Sequence, residues 1–183
     1  MIEVRLHGRG GQGAVTSAEL VAEAAISEGK YAQAFPSFGP ERRGAPVRAF
    51  IRVDSSAIRL RNEIEEPDIV LVLDPTLISV VNVTEGLKPE GIVILNTSKS
   101  IAEVKKEYGI TARAATVNAT KIAQEFLGRP IANTTMLGAL IKVTGIINMD
   151  SLKEAFGHRF GKLGEKNFLS CQAAFSQTST EGC

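Results

Sequence analysis

The chain has 183 residues, 44% of them hydrophobic and 22% charged, with a formal net charge of +1. That is the composition of one ordinary globular domain with enough chain to bury a sizeable core. The near-neutral charge, the 5% aromatic content and the lack of any apolar run near the roughly 18 residues of a membrane span argue against nucleic-acid and membrane partners.

Residues 2–7 carry a strand-like pattern, followed by HGRGGQG at 7–13. AVTSAELVAEAAISE at 14–28 reads as a helix ended by Gly29. A short strand is expected at 31–35. Residues 36–46, PSFGPERRGAP, hold three of the seven prolines and read as a loop. VRAFIRV at 47–53 alternates, with Val47, Ala49, Ile51 and Val53 on one face and Arg48, Phe50 and Arg52 on the other. DIVLVLD at 68–74 and GIVILN at 91–96 are continuous apolar runs, the pattern of strands covered on both faces. Another strand end is expected near 112–119. Helices are expected at 75–81, 101–108, 119–127, 134–144, 150–157 and 163–175. The alternation predicts an α/β fold, a single three-layer domain over residues 1–175 with a mostly parallel sheet flanked by helices. Residues 176–183 are expected to form a flexible tail.

Gly8, Gly10 and Gly13 satisfy G-x-G-x-x-G at a strand-to-helix turn, where amide groups and the helix dipole favour anions. A dinucleotide site also needs an acidic residue about 20 positions on, for the ribose. Residues 31–40 contain no Asp or Glu, and no Gly-Lys-Ser/Thr follows the turn. A tight turn that lets the first helix approach the sheet explains the glycines equally well. The only cysteines are Cys171 and Cys183, fewer than the four thiolates an iron–sulfur cluster ordinarily takes. With His7 and His158 they make no zinc spacing, so structural or free thiols are expected. No leader pattern opens the chain, and a cytoplasmic location is expected.

Residues 42–61 contain six arginines and no lysine, and Glu41 and Asp54 compensate their charge only in part. A guanidinium fork suits carboxylates and phosphates and tolerates partly dry interfaces. A solvated polar face, or a surface meeting a protein or an anionic ligand, both fit. Asn96 ends an apolar run, and Asn133 or Thr134 stands where it can cap the helix at 134–144.

The blocks GRGGQGAVTSAELVAEAA and GKYAQAFPSFGPERRGAPVRAFIRV together resemble the gamma subunit of pyruvate/2-oxoacid:ferredoxin oxidoreductases. The resemblance continues through PDIVLVLDPTL at 67–77, EGLKPEGIVILNT at 85–97, ATKIAQEFLGRPIANTTMLGAL at 119–140 and EKN at 165–167. It implies one part of an enzyme that decarboxylates a 2-oxoacid with coenzyme A, giving acyl-CoA and CO2 and reducing ferredoxin. It also implies alpha, beta and ferredoxin-like delta partner subunits, which carry the thiamine diphosphate, Mg and [4Fe-4S] clusters. This chain would hold no cofactor and no catalytic residue, and would be inactive alone, where it could form a homodimer. No Gly-Asp-Gly…Asn pattern for magnesium–thiamine diphosphate occurs here, in agreement. FPSFGPERRGAP is similar to the pyruvate-type subunits; a 2-oxoglutarate or branched-chain 2-oxoacid enzyme is the alternative. A free-standing NAD-dependent dehydrogenase and an adaptor domain in another complex are the more distant readings. Gly10, Gln12, Phe38, Glu41, Arg42 and Arg43 are expected on one surface near the cofactor-bearing subunits. Both loops would follow carboxyl ends of strands, where α/β proteins place their sites. Asn96 and Asn133 are further interface or anionic-ligand candidates.

Overall fold

A computed structural model describes residues 1–37 and 43–181. Its elements in chain order are β1 (Ile2–Arg9), α1 (Ala14–Ser27), β2 (Tyr31–Pro36), β3 (Pro46–Asp54), β4 (Ile69–Val72), a 3-10 turn (Pro75–Ser79), β5 (Ile92–Asn96) and α2 (Ile101–Tyr108). They continue with β6 (Arg113–Val117), α3 (Ala119–Leu127), α4 (Asn133–Thr144), α5 (Met149–Phe160), α6 (Gly164–Gln177) and β7 (Ser179–Thr180). The seven strands form one sheet in the order β2-β3-β1-β4-β5-β6-β7. β1, β4, β5 and β6 are parallel neighbours, while β3 pairs antiparallel with β1 and β2, and β7 antiparallel with β6. Five strands therefore point one way, and only β3 and β7 run against them.

The continuous apolar runs occupy the parallel centre, as burial on both faces requires. On one face Leu71, Ile92, Ile94 and Val117 pack with Leu137 and Leu140 of α4, and Val4, Leu6 and Ile51 join the same core as Val21 of α1. On the other, Val70, Val72, Val93 and Leu95 meet Leu77, Val83 and Val104 of α2. α5 and α6 pack outside α1 and α4. Gly138 of α4 lies so close to α6 that an added Cβ would overlap the Cys171 carbonyl, so this helix pair requires glycine there.

Three expectations change. The helix expected at 75–81 is a single 3-10 turn, Pro75–Ser79, opened by Pro75 and capped by the Asp74 side chain, which accepts from the Thr76 amide. Residues 176–181, placed in the tail, complete α6 and form β7. There the Thr178 hydroxyl bonds the Ala174 carbonyl, and the Glu181 carboxylate pairs with Lys105 at 2.7 Å. The polar face of β3 is not simply solvated: Phe50 and Arg52 are buried. Residues 55–66 fold back over that face as a strap with Ile64 buried under it. Arg52 donates to Glu3, its register partner on neighbouring β1, at 2.8 Å, and Arg48, half exposed, pairs with Glu63 at 3.0 Å. These acids come from β1 and the strap, while the local Asp54 pairs with the amino terminus and Glu41 lies outside the described residues.

Candidate functional site

The glycine turn opens at the carboxyl end of β1. Gly11 and Gly13 have φ of +91° and +81°, a region that L side chains avoid. A Cβ on Gly13 would also lie 2.5 Å from the Asn133 amide nitrogen. α1 thus starts on a left-handed glycine with no side-chain cap. α4 starts without one too, at Ala132. Asn133 does not cap α4 as expected. It sits inside the first turn and donates to the Gly13 carbonyl at 3.4 Å, while the Thr134 hydroxyl donates to Asn167 at 2.7 Å. Both helix starts leave first-turn amides without a side-chain acceptor, the local polarity that suits an anion.

Between these starts lies a cleft of about 320 Å3. It is lined by Gly11 and Gln12 of the glycine turn, Leu73, Asp74 and Pro75 after β4, and Asn96 and Thr120. Pro130 to Asn133 close its far side. The structure therefore brings Gln12, Asn96 and Asn133 together. Asn96, buried at the end of β5, donates to the Leu73 carbonyl at 2.9 Å and to the Thr120 hydroxyl at 2.8 Å, and accepts from the Thr120 amide at 3.1 Å. It ties β4, β5 and α3 together, so its first task is to hold the floor of the cleft.

Gly10 and Arg43 form the neighbouring rim. Their backbones make an isolated parallel bridge, with Gly10 N donating to Ala45 O at 2.9 Å and Gly44 N to Gly10 O at 3.0 Å. The Arg43 side chain is exposed. Phe38, Glu41 and Arg42 lie outside the described residues.

Sequence reasoning missed Arg9 and Asp74. Asp74 accepts from Arg9 Nε at 3.1 Å, Gln12 Nε2 at 2.9 Å, the Thr76 amide at 3.0 Å and the Thr76 hydroxyl at 2.7 Å. Partial burial opposes its charge, but hydrogen bonds from Thr76 and Gln12 and the Arg9 guanidinium outweigh that and hold its pKa below the usual value. The signal was present: an Asp at the carboxyl end of an apolar strand, followed by Pro and Thr, is both a turn cap and a site position.

His7 lies under the strap, and its Nε2 accepts from Arg5 Nε at 3.1 Å. Burial, with Arg5 and Arg48 adding to it, lowers its pKa to about 3, so it is neutral at pH 7. The described residues hold no cluster of three or more His, Cys, Asp or Glu suited to a metal. Cys171 is fully buried, which pushes its thiol pKa up. The topology also bears on the dinucleotide reading. The strand after α1 is separated from β1 by antiparallel β3, so the usual ribose-binding strand does not stand beside the glycine turn.

The family model described as pyruvate ferredoxin/flavodoxin oxidoreductase matches residues 3–177. The chain is 57% identical over 180 residues to the pyruvate/ketoisovalerate oxidoreductases common subunit gamma of Pyrococcus furiosus, with 97% of each chain covered. It is 52% identical over 178 residues to pyruvate synthase subunit PorC of Methanocaldococcus jannaschii, again with 97% of each covered. The crystal structure of pyruvate oxidoreductase subunit PORC from Thermotoga maritima matches with a TM-score of 0.88 and 38% identity, covering 99% of this chain and 98% of that one. The glycine turn, the cleft and the sheet around them are thus those of a chain that belongs to the pyruvate ferredoxin/flavodoxin oxidoreductase family.

Proposed function

We propose that this chain is the gamma subunit of a multi-subunit 2-oxoacid:ferredoxin oxidoreductase acting on pyruvate. The complex converts a 2-oxoacid and coenzyme A to acyl-CoA and CO2 and passes two electrons to ferredoxin. The observation that carries this reading is the near-full-length match, at 57% identity, to a gamma subunit named for such enzymes. That relative is named as common to a pyruvate and a ketoisovalerate enzyme. This supports placing the choice of 2-oxoacid in other subunits, and it keeps a branched-chain substrate as the second reading.

The described residues offer no convergent metal-ligand group, and the one described thiol is buried in the helical layer. They do not fit a cluster. We assign thiamine diphosphate, Mg and the [4Fe-4S] clusters to alpha, beta and delta partners, where they would supply decarboxylation and electron transfer. This chain contributes shape. Its carboxyl edge presents uncapped helix starts, a polar cleft and the Arg43 rim toward those partners and toward coenzyme A, an anionic thiol. None of its groups is assigned a proton or electron transfer.

The test is anaerobic purification of the tagged chain from its native cells, with 2-oxoacid- and coenzyme-A-dependent dye reduction assayed in the eluate. Thiamine- and iron-bearing partners with pyruvate activity support the reading. A lone, colourless chain that binds NAD overturns it. Changing Arg42→Ala with Arg43→Ala in the complex should weaken assembly or raise KM for coenzyme A several-fold, and unchanged assembly and kinetics would count against the rim.

A further inference from the structure

We propose that Asp74 is a positioning residue that locks the glycine turn and residues 43–45, the described end of the Pro/Arg loop at 36–46, into one rigid edge for coenzyme A; this rests on the reading of the cleft given above. The two carboxylate oxygens have separate tasks. Oδ1 takes the amide and hydroxyl of Thr76, which is all that capping the 3-10 turn requires. Oδ2 faces the other way and takes Arg9 Nε and Gln12 Nε2 from the glycine turn.

Each of those donors is itself a connector. Gln12 Oε1 accepts from the Arg9 amide at 2.7 Å, closing the turn on itself. Arg9 Nη1 donates to the Gly44 carbonyl at 3.1 Å, on the returning limb of the Pro/Arg loop, and Nη2 to the Thr76 hydroxyl at 2.9 Å. The backbone bridge at Gly10 and Arg43 runs beside this link. One side chain therefore joins the end of β4, the 3-10 turn, the glycine turn and, through Arg9, the Pro/Arg loop. A guanidinium held at three of its nitrogens has one placement, and its charge is matched by the carboxylate. With the Asp74–Arg9 pair neutralised, what the cleft offers an anion is its backbone amides, and these are useful only if the glycine turn is held in register with the rim. Misplacement of a binding element by about 1 Å is enough to change kinetics by orders of magnitude.

The separation of tasks makes the inference testable in the assembled enzyme. An Asn at this position has one acceptor oxygen and can satisfy only one side. Asp74→Asn should raise KM for coenzyme A roughly tenfold while kcat stays within about twofold and assembly is unchanged. Asp74→Glu should recover part of the loss. Thr76→Val leaves both Oδ2 bonds in place but removes the hydroxyl bond to Oδ1 and one of the three Arg9 contacts, so it should raise KM by about threefold at most, well short of Asp74→Asn. Unchanged KM in Asp74→Asn, or equal effects of Asp74→Asn and Thr76→Val, would overturn the inference. Ile131→Trp, at the exposed lip of the cleft, separates the two levels. A raised KM there with a silent Asp74→Asn rejects only the positioning role. Silence of both rejects the cleft itself as the coenzyme A face. Thermal melting of each variant chain identifies any that simply fails to fold, and Asp74→Glu then carries the test.

Discussion

The two faces of β1 and β3 are built from alternate residues of the same short segments, yet by different chemistry. On one face Val4, Leu6, Ala49, Ile51 and Val53 are buried among the helices, where close packing of apolar volume suffices. On the other, Arg5, His7, Phe50 and Arg52 are buried just as deeply, with no helix above them among the described residues. Their cover is the strap of residues 55–66, an irregular segment whose carbonyls need donors. Arg5 supplies one, to Glu65 O at 3.3 Å, and ties the strap to the segment beyond β4 through Val83 O at 3.2 Å and Glu85 O. Arg52 lies over the Phe35 ring, and Arg48 over that of Phe50. The lesson is that an apolar face accepts any well-shaped helix, whereas a polar face can bury one particular loop in one particular path.

That path serves the candidate site. Glu63 of the strap accepts from Ser37 at 2.7 Å and from Arg48 at 3.0 Å. Ser37 stands on the outgoing limb of the Pro/Arg loop, and Arg48 on β3 just after the loop returns. The strap thus grips the loop at its base, while the Gly10 bridge and Arg9 hold the returning limb near the cleft.

Neighbouring residues on β1 offer the sharpest way to break the comparison. Leu6→Ala should cost about 3 kcal/mol, the usual range for a cavity in a closed core. Denaturant unfolding of the chain checks this, and a loss under about 1 kcal/mol would deny the helical face its dominant role. Arg5→Met should cost about 2 kcal/mol through the carbonyls it leaves unpaired. Its distinguishing mark is location: proteolysis should open the strap near residues 55–66 in Arg5→Met and leave it closed in Leu6→Ala.

His7 gives a smaller, pH-dependent effect. Its pKa is lowered in the folded state, so between about pH 6.5 and pH 3 the unfolded chain binds more protons. Its contribution is fully present above the unfolded pKa and is lost as pH falls toward the folded one. His7→Gln should flatten the melting temperature across that window. An unchanged slope would mean other groups carry the acid dependence. Least affected should be Lys88→Met. Lys88 pairs with Asp68 at 2.8 Å and lies 3.7 Å from Glu3, but it is over a third exposed. Its loss should cost under about 1 kcal/mol and should shrink further in high salt.

Much of this was legible in the sequence, and the reasons are local. The continuous apolar runs at 68–74 and 91–96 gave the parallel centre because no half-exposed strand tolerates such runs. The glycines at 8–13 marked the turn because two of them need left-handed backbone. Gln12, Asn96 and Asn133 emerged as candidates and line one cleft. What was hidden depends on contacts far along the chain. The partners of Arg48 and Arg52 are Glu63 and Glu3, and no spacing announces that residues 55–66 cover the sheet. Asn133 looked like a cap because capping is a local rule, and it was redirected by Gly13, 120 residues away. Asp74 joined the site only when β4 was placed beside β1.

The central claim is that the carboxyl edge is the face this chain turns to its partners and to coenzyme A. Amide hydrogen exchange on the isolated chain, on the assembled complex and on the complex with coenzyme A tests it directly. The account predicts new protection on assembly or coenzyme A binding at residues 9–13, 43–48, 73–79 and 130–136, with the amino-terminal ends of the strands unchanged. Protection confined to those amino-terminal ends, or to the outer faces of α5 and α6, would contradict it.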